Sequence, residues 1–262
     1  MALTTIGLMA LLGCFTGFMA GLLGIGGGMI ITPFLIMLIP SSLIPHEHIV
    51  HVAIATSLAT IAFTSLSSVR AHHKRGAVLW NVVASVAPGI LVGAVVGAQI
   101  AGWLPTFWLS LIFAAFVGFS AFKMFLNKSP RPDRNLPGTI GKFFMGIAIG
   151  ILSALVGAGG GFISVPWMIW CNVKMQNAVA TSAAFGFPIA LFGTIGYIIS
   201  GWNVSGLPPW PIDLGYICIP ALFSVAITSV LFAPLGAKVA HSIDTKPLKK
   251  IFACLLCFVC LY

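Results

Sequence analysis

The chain has 262 residues, of which 59% are hydrophobic and 6% charged, and its mean hydropathy is +1.10. A soluble domain carries about 25% charged residues, and a disordered chain combines low hydrophobicity with high charge, so both classes are excluded. The net charge of +9 falls mostly in short loops, where cytoplasmic Lys and Arg are expected, and it forms no basic stripe typical of nucleic-acid binding. The composition predicts an all-α polytopic membrane protein.

The chain divides into eight apolar segments, each long enough to approach the roughly 20 residues that a membrane-spanning helix needs. They cover residues 6–39, 48–68, 79–101, 104–126, 142–171, 178–200, 213–237 and 248–262. A proline-rich, charged stretch follows the fourth segment. We therefore predict a first transmembrane repeat over 1–126, a cytoplasmic linker over 127–140 and a second transmembrane repeat over 141–262.

The two halves repeat each other. The glycine run 24–28 recurs 133 positions later at 157–161, each run being followed by a proline at the same distance. The Ala-Thr-Ser element 55–57 recurs 125 positions later at 180–182, and Gly97 recurs 139 positions later at Gly236. Three anchors in the same order indicate an internal duplication, which is typical of secondary transporters.

The segments that contain the glycine runs are too long for single spanning helices. Residues 6–39 and 142–171 would each extend roughly 45–50 Å as a helix, beyond a hydrocarbon core of about 30 Å. Glycine costs about 1 kcal/mol and proline about 3 kcal/mol inside a helix. We therefore predict a helix broken at each run, for which a re-entrant hairpin is one arrangement, beside about three spanning helices per repeat.

Charge placement differs between the halves. The loop 70–75 is basic and the turn 102–105 is uncharged, whereas the corresponding loop 201–211 has no Lys or Arg. Basic residues instead follow the segment that corresponds to 79–101, at Lys238, Lys246, Lys249 and Lys250. By the positive-inside rule this exchange predicts that the two repeats are inverted.

The glycine runs are candidate anion sites. Backbone without side chains lets an anion approach, and the N–H groups and dipole of the following half-helix favour negative charge. The substrate-binding candidates are Gly26, Gly27, Gly28, Gly159, Gly160 and Gly161. The alternative is that these glycines only permit close helix packing. A second set of candidates consists of nearby hydroxyl donors, which could instead bond to their own helix carbonyls: Thr56, Ser57, Thr181 and Ser182.

The remaining polar residues give weaker candidates. Gln176 occupies the repeat position of His51, and Asn177 is adjacent to it, so both are included as substrate-binding candidates. His51 could couple transport to protons, because histidine titrates near neutrality. Lys174 could attract an anion or lie at the interface as an ordinary snorkelling lysine. His72, in the basic loop, is expected to be solvated. No catalytic group, metal-ligand set or cofactor motif is predicted.

The sequences LLGIGGGMIITPFLI and ATSLATIAFTSLSS in the first half, and SALVGAGGGFISVPWM with ATSAAFGFP in the second, resemble the TauE/SafE sulfite exporter family over essentially the whole chain. The resemblance implies a bacterial inner-membrane carrier that exports sulfite or organosulfonates. The matched halves favour alternating access. Alternatives are an importer or channel for another small anion, or a membrane-embedded enzyme acting on a sulfur or phosphate group. The expected partners are the anion and the lipid bilayer, and a homo-oligomer is left open.

Overall fold

A computed structural model describes residues 3–24, 27–39, 44–126, 135–204, 207–208, 213–240 and 242. Within these residues the fold is helical apart from one β-hairpin with two-residue strands. The elements in chain order are α1 Leu3–Leu23, α2 Gly28–Leu38, α3 Ile49–His73, α4 Trp80–Trp103, α5 Thr106–Leu126, α6 Thr139–Val156, α7 Gly161–Trp170, α8 Met175–Gly201, β1 Asp213–Leu214, β2 Ile217–Cys218 and α9 Ile219–Ala240.

Six of these helices are long and apolar enough to cross a membrane: α1, α3, α4, α6, α8 and α9. Large apolar side chains such as Leu11, Trp103 and Phe107 are exposed, as expected for a surface that faces lipid rather than water. The protein is therefore a multi-pass helical membrane protein, as the composition predicts. The predicted segment 248–262, and residues 127–134 of the predicted linker, lie outside the described residues.

Both long segments are broken at their glycine runs, which confirms that prediction. In each break two glycines three positions apart have left-handed backbone: Gly24 and Gly27 with φ of 66° and 72°, and Gly157 and Gly160 with φ of 66° and 77°. A side chain in that conformation costs about 1–2 kcal/mol, so glycine is required there. The prolines contribute less to the breaks than the sequence suggests, because Pro33 and Pro166 lie inside α2 and α7.

The first arm of each broken segment is much longer than the second. The arms α1 and α6 have 21 and 18 residues, whereas α2 and α7 have 11 and 10. At 1.5 Å per residue each first arm extends close to the thickness of a hydrocarbon core, of about 30 Å, and each second arm about half that. Each repeat therefore combines one long helix with one half-length helix that begins at the break.

Glycines allow the long arms to pack closely on helices of the other repeat. In α1, Gly13 and Gly17 lie against the backbone of Val225 and Ser229 in α9. The corresponding glycines of α6 lie against α4, where Gly146 and Gly150 contact the carbonyl oxygens of Val86 and Ile90. The helices α3 and α8 pack against each other between these two pairs. The core therefore contains equivalent contacts from both repeats.

The last described helix begins later than the sequence predicts. The apolar segment was expected to start at residue 213, but α9 starts at Ile219, after the hairpin of β1 and β2. Gly215 has φ of 59° in the hairpin turn, a left-handed conformation that ends regular structure and suits glycine.

Candidate functional site

The two helix breaks lie in contact with each other in the protein interior. Gly28, the first residue of α2, packs so closely against the carbonyl oxygen of Gly157 that any Cβ at Gly28 would overlap it. Gly27, Gly28, Gly160 and Gly161 are all buried. The structure thus brings the two glycine runs together although the sequence places them 133 positions apart; the candidate Gly26 lies outside the described residues.

The candidate serines join the two breaks by hydrogen bonds between repeats. The Ser57 hydroxyl lies 3.2 Å from the carbonyl oxygen of Gly157 and 3.3 Å from that of Gly28, and donates to both. Ser182 donates to the carbonyl oxygen of Gly24 over 3.0 Å. Because Ser182 corresponds to Ser57, and Gly24 to Gly157, the exchange is reciprocal: each repeat's serine holds the glycine break of the other.

The candidate threonines make a second reciprocal exchange. Thr56 Oγ1 accepts a hydrogen bond of 3.0 Å from the amide of Cys218, and Thr181 Oγ1 accepts one of 3.0 Å from the amide of Leu79. Leu79 and Cys218 are 139 positions apart, the same separation as Gly97 and Gly236. These amides belong to the residues just before α4 and α9, so each threonine anchors the start of a helix in the opposite repeat.

Backbone donors at the breaks remain without acceptors. Among the described residues, the amide N–H groups of Gly28, Met29, Gly161 and Phe162 make no hydrogen bond to a protein acceptor. These are the first amides of α2 and α7, where a helix has no internal acceptor to offer. An unpaired buried donor costs about 1–3 kcal/mol, and at membrane depth such backbone is tolerated where it lines a cavity.

Three buried hydroxyls near the breaks also lack partners among the described residues: Thr32, Ser68 and Ser153. The Thr32 and Ser153 hydroxyls lie 3.0 Å and 3.3 Å from the points where Cβ atoms on Gly157 and Gly160 would be. Sequence reasoning missed all three. A signal for Ser68 was available, because Ser57, Thr60, Thr64 and Ser68 follow one another at helical spacing and thus share one face of α3.

The outer candidates lie away from the breaks. Lys174 precedes α8 and is exposed, as is Gln176 in its first turn. Asn177 donates from its side-chain amide to the carbonyl oxygen of Ala77 over 3.0 Å, so it ties α8 to the loop after α3. The structure therefore brings the glycines and hydroxyls together but does not bring Lys174 or Gln176 to them.

The His51 side chain is buried and contacts the C-terminal end of α4. Its Nε2 lies 3.1 Å from the carbonyl oxygens of both Ala101 and Leu104, so this nitrogen carries the proton and donates to the helix terminus. The ring stacks on Tyr216 with centroids 5.1 Å apart. Burial raises the pKa of the Tyr216 phenol, which lies in the hairpin between the strands, so that group stays neutral.

His72 is not solvated, contrary to the sequence expectation. Helix α3 continues through the predicted loop to His73, and this places His72 on the inward face, fully buried. Its Nε2 lies 3.1 Å from the carbonyl oxygen of Gly21 in α1. The corresponding residue of the second repeat, Tyr197, donates to the carbonyl oxygen of Ala154 over 3.1 Å, so in both repeats a hydrogen bond joins the third helix to the first.

A multi-pass helical bundle with paired, interlocked helix breaks has the architecture of a membrane transporter. The family model described as "Sulfite exporter TauE/SafE" matches residues 9–262, and the chain belongs to this family. A probable membrane transporter protein of Haemophilus influenzae is 34% identical over 257 residues, covering 98% of this chain and 97% of the relative.

Two further relatives carry the same kind of name. A probable membrane transporter protein of Bacillus subtilis is 30% identical over 194 residues, 71% of this chain and 76% of the relative. One of Methanocaldococcus jannaschii is 27% identical over 257 residues, 95% of this chain and 91% of the relative. No solved structure gives a significant match. Together with the family match, these names identify the protein as a membrane transporter.

Proposed function

We propose that this protein is a secondary transporter that exports sulfite or an organosulfonate across the cytoplasmic membrane of a bacterial cell. The observation that carries this proposal is the set of four N–H groups at the starts of α2 and α7 that have no acceptor within the described part of the chain, beside two breaks in direct contact. Each helix start contributes about half a positive charge. An oxyanion supplies the acceptors that these donors lack.

The chemistry of the surrounding side chains supports an anionic substrate. Among the described residues, the buried polar side chains are Ser, Thr and His, and no carboxylate is among them. A buried Asp or Glu near the breaks would repel an anion and would require a cation partner. Hydroxyl and amide donors bind a sulfur oxyanion through several hydrogen bonds, because each of its oxygens accepts more than one.

The proposed mechanism is alternating access between inverted repeats. The reciprocal serine and threonine contacts are those of two halves related by a pseudo-two-fold axis, and the exchange of basic loops between halves supports an axis in the membrane plane. During alternating access, contacts between the repeats would break on one side of the membrane, and the equivalent contacts would form on the other side. Export needs little further drive, since each negative charge leaving a negative interior gains about 2.3 kcal/mol per 100 mV.

The proposal is tested by reconstituting the purified protein in liposomes and measuring uptake of sulfite, sulfoacetate, taurine, sulfate and chloride. Protein-free liposomes are the control for leak. We expect saturable transport of sulfite or of an organosulfonate, faster than that of chloride. Equal, non-saturating rates for all anions would indicate a channel, and rates equal to those of protein-free liposomes would refute the proposal.

A further inference from the structure

A buried crevice lies where α3 and α8 pack against the two breaks. It is lined by Gly24 at the end of α1 and Gly159 before α7, and by Ser65, Ser68, Ala183 and Gly186 from α3 and α8. The crevice has room for about one water molecule. A larger ligand could therefore enter this crevice only after the surrounding helices separate.

Two residues that line the crevice are smaller than their counterparts in the first repeat. Ala183 and Gly186 correspond, 125 positions apart, to Leu58 and Ile61 of the first repeat. These larger residues lie close to glycines in the described part of the chain: Leu58 Cδ1 lies 3.1 Å from the point where a Cβ on Gly193 would be, and Ile61 Cδ1 lies 2.7 Å from the equivalent point at Gly28.

Two serines of α3 supply the side-chain hydroxyls of the crevice. Ser68 is 2% exposed and its hydroxyl has no partner among the described residues, although a buried hydroxyl normally finds one. Its counterpart in the second repeat is Gly193, and the counterpart of Ser65 is Ala190, so neither position keeps a hydroxyl there. Ser65 donates to the carbonyl oxygen of Ala62, which leaves Ser68 as the free donor.

We infer that the anion occupies this crevice when the surrounding helices separate, and that the Ser68 hydroxyl donates to one of its oxygens. Gly159, which lines the crevice, lies two residues before α7, and the amides of Gly161 and Phe162 at the start of α7 have no acceptor among the described residues. The inference rests on the proposed function and specifies its site. It assigns Ser68, Ala183 and Gly186 to substrate recognition.

The position of the crevice along α3 fits an entry from the basic side. Ser68 lies five residues before the end of α3 at His73, roughly 7.5 Å along the helix axis. The exposed residues Arg70, Lys74 and Arg75 surround that end. Positive charge there raises the local concentration of anions. The crevice is thus closest to the face that the positive-inside rule assigns to the cytoplasm.

The test compares sulfite transport by crevice variants and matched controls in proteoliposomes. Gly186→Ala adds one methyl group to the crevice, with its Cβ 3.2 Å from Ser65 Cβ and 3.7 Å from the carbonyl oxygen of Gly159, so only a slight shift is needed. Its control is Gly7→Ala, whose Cβ meets open space. Ser68→Ala removes the free hydroxyl, and its control is Ser67→Ala, which removes a hydroxyl bonded to Val230.

We expect Ser68→Ala to raise the KM for sulfite about tenfold, the effect of losing one hydrogen bond to a charged group. Gly186→Ala should lower the transport rate at least as much, and the double variant Ala183→Leu with Gly186→Ile, which copies the first repeat, should abolish it. The thermal unfolding temperature of each variant checks that it is folded. Gly7→Ala and Ser67→Ala should transport like the wild type.

Each outcome decides the matter. Wild-type kinetics in Gly186→Ala and Ser68→Ala would overturn the crevice as the site while leaving the transport function standing. Equal losses in the crevice variants and in their controls would also overturn it, because the effect would not be specific to the crevice. A wild-type protein that moves no anion of the panel would refute the proposed function, and the inference with it.

Discussion

Replacing Ser182 by alanine should loosen the contact between the two repeats more than replacing its counterpart Ser57. Ser182 donates to the carbonyl oxygen of Gly24 and accepts a 2.8 Å hydrogen bond from the Ser164 hydroxyl. Its removal deletes two bonds and leaves the buried Ser164 hydroxyl without an acceptor. With about 1 kcal/mol for a neutral hydrogen bond and 1–3 kcal/mol for an orphaned buried group, the loss is about 2–3 kcal/mol. Ser57→Ala removes one hydroxyl hydrogen, which the carbonyl oxygens of Gly28 and Gly157 share. The expected loss of unfolding free energy is therefore about 1 kcal/mol.

The assay is thermal unfolding of the purified variants in one detergent. At roughly 2–4 °C per kcal/mol for a chain of this size, Ser182→Ala should lower Tm by roughly 4–12 °C and Ser57→Ala by roughly 2–4 °C. The control is Ser120→Ala: Ser120 is also buried, but its hydroxyl bonds within its own helix to Phe116, and alanine favours the helix. If Ser182→Ala is as stable as Ser120→Ala, the hydrogen bonds between repeats do not stabilise the fold and the reasoning is refuted.

Four further changes test other parts of the structure. Gly28→Ala should abolish sulfite transport, because its Cβ would overlap the carbonyl oxygen of Gly157 and force the breaks apart; wild-type flux would contradict this contact. Thr181→Val should lower the unfolding free energy by about 1–3 kcal/mol by orphaning the Leu79 amide, measured against Thr139→Val at an exposed position. His51→Leu should cost a similar amount and His51→Gln much less, because glutamine retains a donor for the α4 carbonyls; equal unfolding temperatures would contradict this. Replacing both Arg70 and Lys74 by Gln should raise the KM for sulfite on their side by roughly two- to fivefold at low ionic strength, and an effect unchanged in high salt would refute an electrostatic origin.

The breaks at the two glycine runs could be predicted from the sequence because their causes are local. Residues such as Gly27 and Gly160 stand in runs that no spanning helix tolerates, and each run recurs in the second repeat. The start of α9 could not be predicted to the residue, because apolar residues continue through the hairpin at Tyr216 and give no compositional boundary. The burial of His72 was missed for a similar reason: the basic loop residues beside it conceal the continuation of α3.

The partners of the hydroxyls could not be predicted, because they belong to the other repeat. Ser57 and Gly157 are a hundred positions apart, and only the packing of the two halves brings them together. The alignment of the repeats does show that Ala183 corresponds to Leu58 and that Gly186 corresponds to Ile61. Whether such a size difference leaves a space or is filled by neighbours depends on side-chain packing, so the crevice emerged only from the structure.

We propose that the paired helix breaks bind the sulfur oxyanion that the protein transports. The most direct measurement is the initial rate of sulfite efflux from proteoliposomes, followed against internal sulfite concentration, with and without an inside-negative potential. We expect a rate that saturates with concentration and rises when the interior is made negative. A rate that stays linear with concentration, or that equals the leak from protein-free liposomes at every potential, would contradict it.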